Sequence, residues 1–191
     1  MYMEFKNLKL KNLLFKIHRR YLRENEKTIH VEAFVRDDIW EKLLNLIGKE
    51  YIWFIITPAN YDYCKSYFNL KMTKDEFKKI LIRRVEYLQM NNEVIQLHLH
   101  LCNVKKFLDK PLQDDKFKEA MEFMNSVGIK PSKLVLGWNS YDDYTIILAK
   151  NYGFKYIYEY TTDPFKPNRP KIKNGIIIKY YYKFWHDYDF I

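Results

Sequence analysis

The 191-residue chain contains little of what several protein classes require. Its only two cysteines, Cys64 and Cys102, are too few for the disulfide framework of a small secreted domain and fit a reducing compartment. Five glycines and six prolines leave little sequence for a flexible linker. The longest apolar run, 51–57, is far shorter than the roughly 20 residues of a membrane-spanning helix. We therefore expect a cytoplasmic protein with no transmembrane segment.

The chain is instead rich in apolar and basic residues. Hydrophobic residues make up 48% and aromatic residues 18%, which is enough for the core of one domain. The net charge is +9, and residues 1–27 hold eight Lys or Arg against three Glu. Leucines at helical spacing in this segment predict a basic amphipathic helix packed on a single domain, 28–191. An arm that binds a membrane surface or nucleic acid is the alternative.

Strand and helix patterns alternate along the rest of the chain. Apolar and β-branched runs predict strands at 29–35, 51–57, 93–102, 134–136, 156–158 and 175–182. Helices are predicted at 39–47, from the Thr73-x-x-Glu76 capping box, along an apolar face from Phe117 to Val127, and from a Ser140-x-x-Asp143 cap. The alternation favours a parallel α/β sheet or a barrel.

Asp37 and Asp38 directly follow the first predicted strand. Ligand sites of α/β folds lie at this end of the strands, where two adjacent carboxylates repel each other unless a cation or a proton is shared. The pair therefore suits a metal ligand beside a base. The alternative is structural, with Asp38 capping the helix that starts at Ile39 and Asp37 solvated.

His98, His100 and Cys102 lie on one face of the third predicted strand. Successive side chains of a strand point to opposite faces, so these three alternate with Leu97, Leu99 and Leu101. Imidazole and thiolate are ligands that zinc prefers. The pattern predicts either a metal site or hydrogen-bonded core histidines.

Aromatic residues follow two of the strands. Trp138, with Tyr141 and Tyr144 nearby, is placed to stack on sugar rings or bases, although core packing is the commoner use of such residues. The Tyr- and Lys-rich segment 180–185 would suit single-stranded nucleic acid. A basic nucleic-acid-binding protein is therefore one alternative function.

The order of these parts resembles the polysaccharide deacetylase family. The segment 134–156, Leu-Val-Leu-Gly-Trp-Asn-Ser-Tyr-Asp-Asp followed by a helix and a Gly-Phe strand entry, is similar to the third motif of that family. Asp37 and Asp38 match its Asp-Asp motif, and the strand 93–98 matches its His-containing motif. The resemblance covers about 29–158, and its motifs are collinear.

The resemblance implies a fold and a chemistry. The fold would be α/β, an irregular (β/α) barrel of the polysaccharide deacetylase type with a mainly parallel sheet. The function would be metal-dependent hydrolysis, with deacetylation of an N-acetylated sugar or related amide, a small molecule or an oligosaccharide. Asp37 would be the base and His186 the acid. The divalent metal, expected to be zinc, would bind Asp38, His98 and a third residue.

Two departures from the family pattern affect these assignments. Its second histidine lies four residues beyond the first, where this chain has Cys102, so the third ligand is either His100, our assignment, or Cys102. Its base-orienting arginine is missing, and Arg36 is the nearest substitute. Arg36 and Trp138 are assigned to substrate binding. A catalytically inactive barrel that binds carbohydrate is the main alternative.

Overall fold

A computed structural model of the protein describes residues 27–103, 106–161 and 170–182. The strands are β1 (Thr28–Val31), β2 (Ile52–Ile55), β3 (Val94–Leu99), β4 (Cys102–Asn103), β5 (Lys106–Phe107), β6 (Lys133–Leu136), β7 (Tyr156–Thr161), β8 (Lys171–Lys173) and β9 (Ile176–Tyr182). The α-helices are α1 (Asp37–Leu44), α2 (Tyr61–Tyr67), α3 (Lys74–Met90), α4 (Lys110–Ser126) and α5 (Asp143–Asn151). Single 3-10 turns lie at Pro58–Asn60 and Gly137–Asn139. The helix predicted for 1–27 lies outside the described residues except for Lys27, and so does His186.

Seven strands form one sheet in the order β1-β2-β3-β6-β7-β9-β8. All neighbours are parallel except β8 and β9. In register, Val31 pairs with Ile55, Ile55 with Leu97, and Leu97 with Leu134. Within the described ranges β1 and β8 are the two edges of the sheet, and β4 and β5 form a separate hairpin. The predicted α/β class with a mainly parallel sheet is confirmed.

The two faces of the sheet pack differently. Residues of one face, among them Ile55, Leu97 and Ile157, belong to the main core together with buried side chains of the helices. The opposite face carries a smaller cluster. Its buried members are Ile52, Phe54, Val135 and Tyr158. Leu97 and His98 therefore point to opposite faces, as strand alternation predicts.

Side-chain caps set where the longer helices begin. Thr73 and Glu76 form the predicted capping box of α3. Helix α5 begins two residues later than predicted, because Asp142 rather than Ser140 is its cap and accepts a hydrogen bond from Thr145 N at 2.8 Å. Asp109 caps α4 in the same way. Local sequence is thus sufficient to start these helices.

The connection after β1 differs from the prediction. The strand ends at Val31, not at residue 35, and a turn follows in which Arg36 N donates to Ala33 O at 3.0 Å. Arg36 is the N-cap residue of α1 and its side chain makes no capping hydrogen bond, so Asp38 is not the cap. The short strand leaves Glu32 as the first residue beyond its end. The prediction also missed α2 and β8, which are too short for a clear periodic pattern.

Among the described residues, no helix combines the length and the apolar character needed to cross a membrane.

Candidate metal centre

Three side chains meet at the carboxyl end of the parallel strands. Glu32 follows β1, His98 lies in β3, and His100 follows β3. One ligand atom from each lies within 4.8 Å of the others. Glu32 Oε1 is 3.2 Å from His100 Nε2 and 3.9 Å from His98 Nε2. In the part of the chain that the structure describes, this is the group of His, Cys and acidic residues with metal-ligand spacing.

The centre is largely closed to solvent. His98 and His100 are each 2% exposed, and the Glu32 side chain is 19% exposed. The imidazole rings are stacked with centroids 4.8 Å apart. His30 joins them from β1, with its ring edge-on to His98 at 5.8 Å. Glu32 therefore provides the partly exposed side of a buried group.

Packing fixes the ring of His100. The ring stacks on Tyr63 of α2 with a centroid distance of 4.0 Å and an angle of 21°. On another side it lies against Gly137, where an added Cβ would overlap the imidazole. Asn60 Nδ2 donates to His100 O at 3.1 Å and holds the backbone. A glycine at position 137 is thus required for the observed position of the ring.

Tyr63 also fixes the carboxylate of Glu32. Its phenol donates to Glu32 Oε2 at 3.1 Å, while Oε1 faces the histidines. Burial and the Glu32 charge raise the pKa of Tyr63 far above its ordinary value. The phenol therefore stays protonated and remains a donor at neutral pH. One residue orients both a carboxylate and an imidazole, as the outer partners of metal ligands commonly do.

The donor set fits a divalent cation. Both ring nitrogens of His100 are buried and have no hydrogen-bond partner among the described residues, because the Nε2 contact with Glu32 lacks hydrogen-bond geometry. A buried polar atom in this state is costly, and a bound cation would satisfy Nε2. Two histidines and one glutamate are a ligand set of catalytic zinc sites, which keep a fourth position for water. Glu32, His98 and His100 together can hold such an ion.

The acidic pair predicted from the sequence lies elsewhere. Asp37 is paired with the guanidinium of Arg84, and its side chain is 88% exposed. Asp38 is paired with Arg36 at 2.6 Å and is 54% exposed. Neither carboxylate belongs to the group formed by Glu32 and the histidines. The roles predicted for Asp37, Asp38 and Arg36 stay predictions.

Cys102 follows β3, and Trp138 follows β6. The Cys102 thiol is half-buried and hydrogen-bonded to Ser140, and burial is the main cause that raises its pKa. The charge of Glu32 also contributes to that rise. Trp138 is exposed and directly follows Gly137. The thiol lies outside the group of Glu32, His98 and His100, and the choice between His100 and Cys102 as a metal ligand stays a prediction.

Glu32 was missed because the first strand was predicted to run on to residue 35. The signal was present, since His30 and Glu32 alternate with Ile29 and Val31 just as His98 and His100 alternate with leucines. Glu32 shares a strand face with His30 and is the first carboxylate after the strand end. Comparing the two histidine-bearing strands face by face could therefore have identified Glu32.

Comparison with known proteins supports a relation in fold. No protein-family model matches the chain, and no curated protein matches it. Among solved structures, it is similar to the "putative polysaccharide deacetylase from Mycobacterium smegmatis", with a TM-score of 0.56 and 12% sequence identity. The match covers 84% of this chain and 58% of that protein. The shared feature is therefore the deacetylase-like α/β fold, over somewhat more than half the length of the other protein.

Proposed function

We propose that the protein is a metal-dependent hydrolase that deacetylates an N-acetylated sugar or a related amide. The observation that carries this proposal is the buried group of Glu32, His98 and His100 at the carboxyl end of the parallel strands. Active sites of α/β barrels lie at this end. The similarity in fold to a protein described as a polysaccharide deacetylase favours amide hydrolysis over other metal chemistry. The low cysteine content fits a reducing, cytoplasmic location.

The residues of the centre have separate tasks. A bound divalent metal, for which we propose zinc, would polarise the amide carbonyl and lower the pKa of a bound water. His98, His100 and Glu32 Oε1 would hold it, while Tyr63 keeps Glu32 in place through Oε2. Exclusion of bulk water around the histidines strengthens each electrostatic interaction there.

Proton transfer is the less defined part of the proposal. The resemblance assigns it to Asp37 as base and His186 as acid. The exposed carboxylate of Asp37 is paired with Arg84 and is not part of the group of Glu32, His98 and His100. This placement favours Glu32 as the carboxylate that binds the metal. A test of the function therefore has to compare the two carboxylates directly.

The test measures metal content and acetate release on the same preparations. Protein purified without a metal-binding tag is analysed for zinc, then reconstituted and assayed with N-acetylglucosamine oligomers of two to six units. We expect one equivalent of zinc and acetate release, both lost in Glu32→Gln and His100→Ala and both retained in Asp37→Asn and Asp38→Asn. Retained activity in Glu32→Gln, or zinc lost only in Asp38→Asn, would contradict the assignment. Absence of zinc after reconstitution would refute the function.

One observation favours a second candidate function. If Glu32 holds the metal, the described part of the group contains no further carboxylate to act as base. A metal-binding barrel that binds carbohydrate without hydrolysing it would have this composition. Zinc and sugar binding without acetate release would identify this function.

A further inference from the structure

A series of aromatic rings leads from the buried centre to the surface. His100 stacks on Tyr63, and Tyr63 stacks on Tyr67 with centroids 5.5 Å apart and an angle of 10°. Tyr67 meets Trp138 edge to face at 6.4 Å and 76°. Tyr63 is buried, whereas Tyr67 and Trp138 are 37% and 60% exposed. The two outer rings thus form an aromatic corner beside the candidate metal centre.

The turn that presents Trp138 has an unfavourable backbone. Trp138 and Asn139 both have left-handed φ values, 59° and 51°. This conformation costs about 1 to 2 kcal/mol for a residue such as tryptophan, whereas asparagine adopts it more readily. A single exposed tryptophan needs no explanation, but an exposed tryptophan on a strained turn indicates a function.

Two hydrogen bonds hold this turn in place. Asn139 Nδ2 donates to Tyr160 O at 2.8 Å, and Tyr160 N donates to Asn139 Oδ1 at 2.9 Å. One amide side chain therefore pairs with both backbone groups of a β7 residue. Since Gly137 is fixed by its contact with His100, the position of Trp138 is set on both sides. The indole is presented to solvent by a turn anchored to the sheet.

We propose that Tyr67 and Trp138 form a binding subsite for a pyranose ring of an N-acetylated oligosaccharide. The apolar C–H face of such a ring packs on an aromatic face, and its hydroxyl rim needs polar neighbours. A corner of two rings at 76° covers a face and an edge of the sugar at once. The Tyr67 phenol provides the polar group, since an ordinary tyrosine is protonated at neutral pH.

The substrate class of this subsite rests on the proposed function. The new element is the place on the protein where the substrate binds. The ring series places it next to the metal centre, so the neighbouring unit of a bound oligomer would lie at the partly exposed Glu32 side of that centre. A single N-acetylated sugar would fill only one of the two positions. Oligomers should therefore bind more tightly than the monomer.

Binding of N-acetylglucosamine oligomers to the full-length protein tests the subsite. Isothermal titration calorimetry on metal-free and zinc-loaded protein gives the affinity independently of turnover. We expect Trp138→Ala and Tyr67→Ala to weaken binding of the trimer at least tenfold. Trp138→Phe, which keeps a ring, should stay within about threefold. The matched control is Tyr87→Ala, which removes an equally exposed ring on α3, and binding should be unchanged.

Several results would overturn the subsite. These are no saturable binding of any oligomer, equal binding by Trp138→Ala and the wild type, or adenosine binding as tightly as the trimer. Melting temperatures close to the wild-type value show that the variants are folded. Zinc binding without sugar binding would refute the subsite and leave the metal centre intact. Sugar binding by a protein that takes up no zinc would support the subsite and refute the hydrolase.

Discussion

The carboxylates after β1 occupy two contrasting environments only a few residues apart. Glu32 lies among buried histidines and accepts a hydrogen bond from Tyr63. Asp37 and Asp38 open α1 on the surface, each paired with an arginine. The sequence motif indicates the outer pair, Asp37 and Asp38, whereas the geometry of a metal site exists at the inner residue, Glu32.

The comparison shows that a motif and a ligand set need not coincide. Asp37 and Asp38 lie in the first turn of a helix, where negative charge is favourable. Both are exposed and paired with arginines, and neither belongs to the group formed by Glu32 and the histidines. Glu32 is close to the histidines because β1 and β3 lie on either side of β2 in a parallel sheet. Strand position, more than residue spacing, thus identifies the carboxylate of the centre.

The largest expected effect tests the structural role of the outer pair. Arg84 is buried, and its guanidinium bonds to Phe34 O, Arg36 O and Asp37. Arg84→Met would leave Phe34 O without its donor and would remove one of the two donors to Arg36 O, which still accepts from Trp40 N. We expect a loss of about 2 to 3 kcal/mol in the free energy of unfolding. Asp37→Asn should cost less than about 1 kcal/mol, because that carboxylate is exposed. Urea denaturation measures both, and equal losses would contradict the contrast.

The next effect tests the close contact between Gly137 and the His100 ring. Gly137→Ala puts a Cβ into the His100 ring, so the ring has to move out of its stack with Tyr63. We expect a destabilisation of about 1 to 2 kcal/mol together with weaker zinc binding. Gly48→Ala is the control, since its left-handed φ of 75° also costs stability but nothing lies within 4 Å of its added Cβ. Unchanged zinc affinity in Gly137→Ala would show that His100 is no ligand.

A smaller effect tests how Glu32 is held. Tyr63→Phe removes the hydrogen bond to Oε2 and keeps the ring on His100. Outer partners of metal ligands contribute about 10- to 100-fold to affinity, and we expect about tenfold weaker zinc binding, measured with a competing chelator. The matched control is Tyr61→Phe. Tyr61 lies in the same helix as Tyr63, and the variant loses a hydrogen bond to Met72 O. If both variants bind zinc like the wild type, Glu32 is not oriented by Tyr63.

The smallest effect concerns the ion pair of Asp38. The hydrogen bond from Arg36 lowers the pKa of Asp38 below its ordinary value. The pair therefore stabilises the fold above the unfolded pKa of about 4, and this contribution is lost as the pH falls through the lower folded value. Arg36→Gln should return the pKa of Asp38 towards the ordinary value, as followed by carboxyl NMR titration with and without zinc. A pKa of Asp38 that depends on zinc would mean that it contacts the metal.

Much of the fold could be predicted from local pattern. The alternation of strands and helices, the Thr73 capping box and the shared face of His98 and His100 all follow from residue periodicity. Short elements could not be predicted, because helix α2 has seven residues and its place depends on packing rather than propensity. Since α2 supplies Tyr63 and Tyr67, part of the candidate site was outside the reach of periodicity.

The sequence by itself determined the class of fold and the shared strand face of His98 and His100, because strand alternation is a local property that fixes which side chains share a face. Only the tertiary structure decided which carboxylate lies beside these histidines. Where β1 stops depends on a turn held by Arg84, a residue from a helix about fifty positions further along the chain. Which carboxylate then meets the histidines depends on the order of strands in the sheet. Both are long-range contacts, and their energy comes from partners that no local pattern contains.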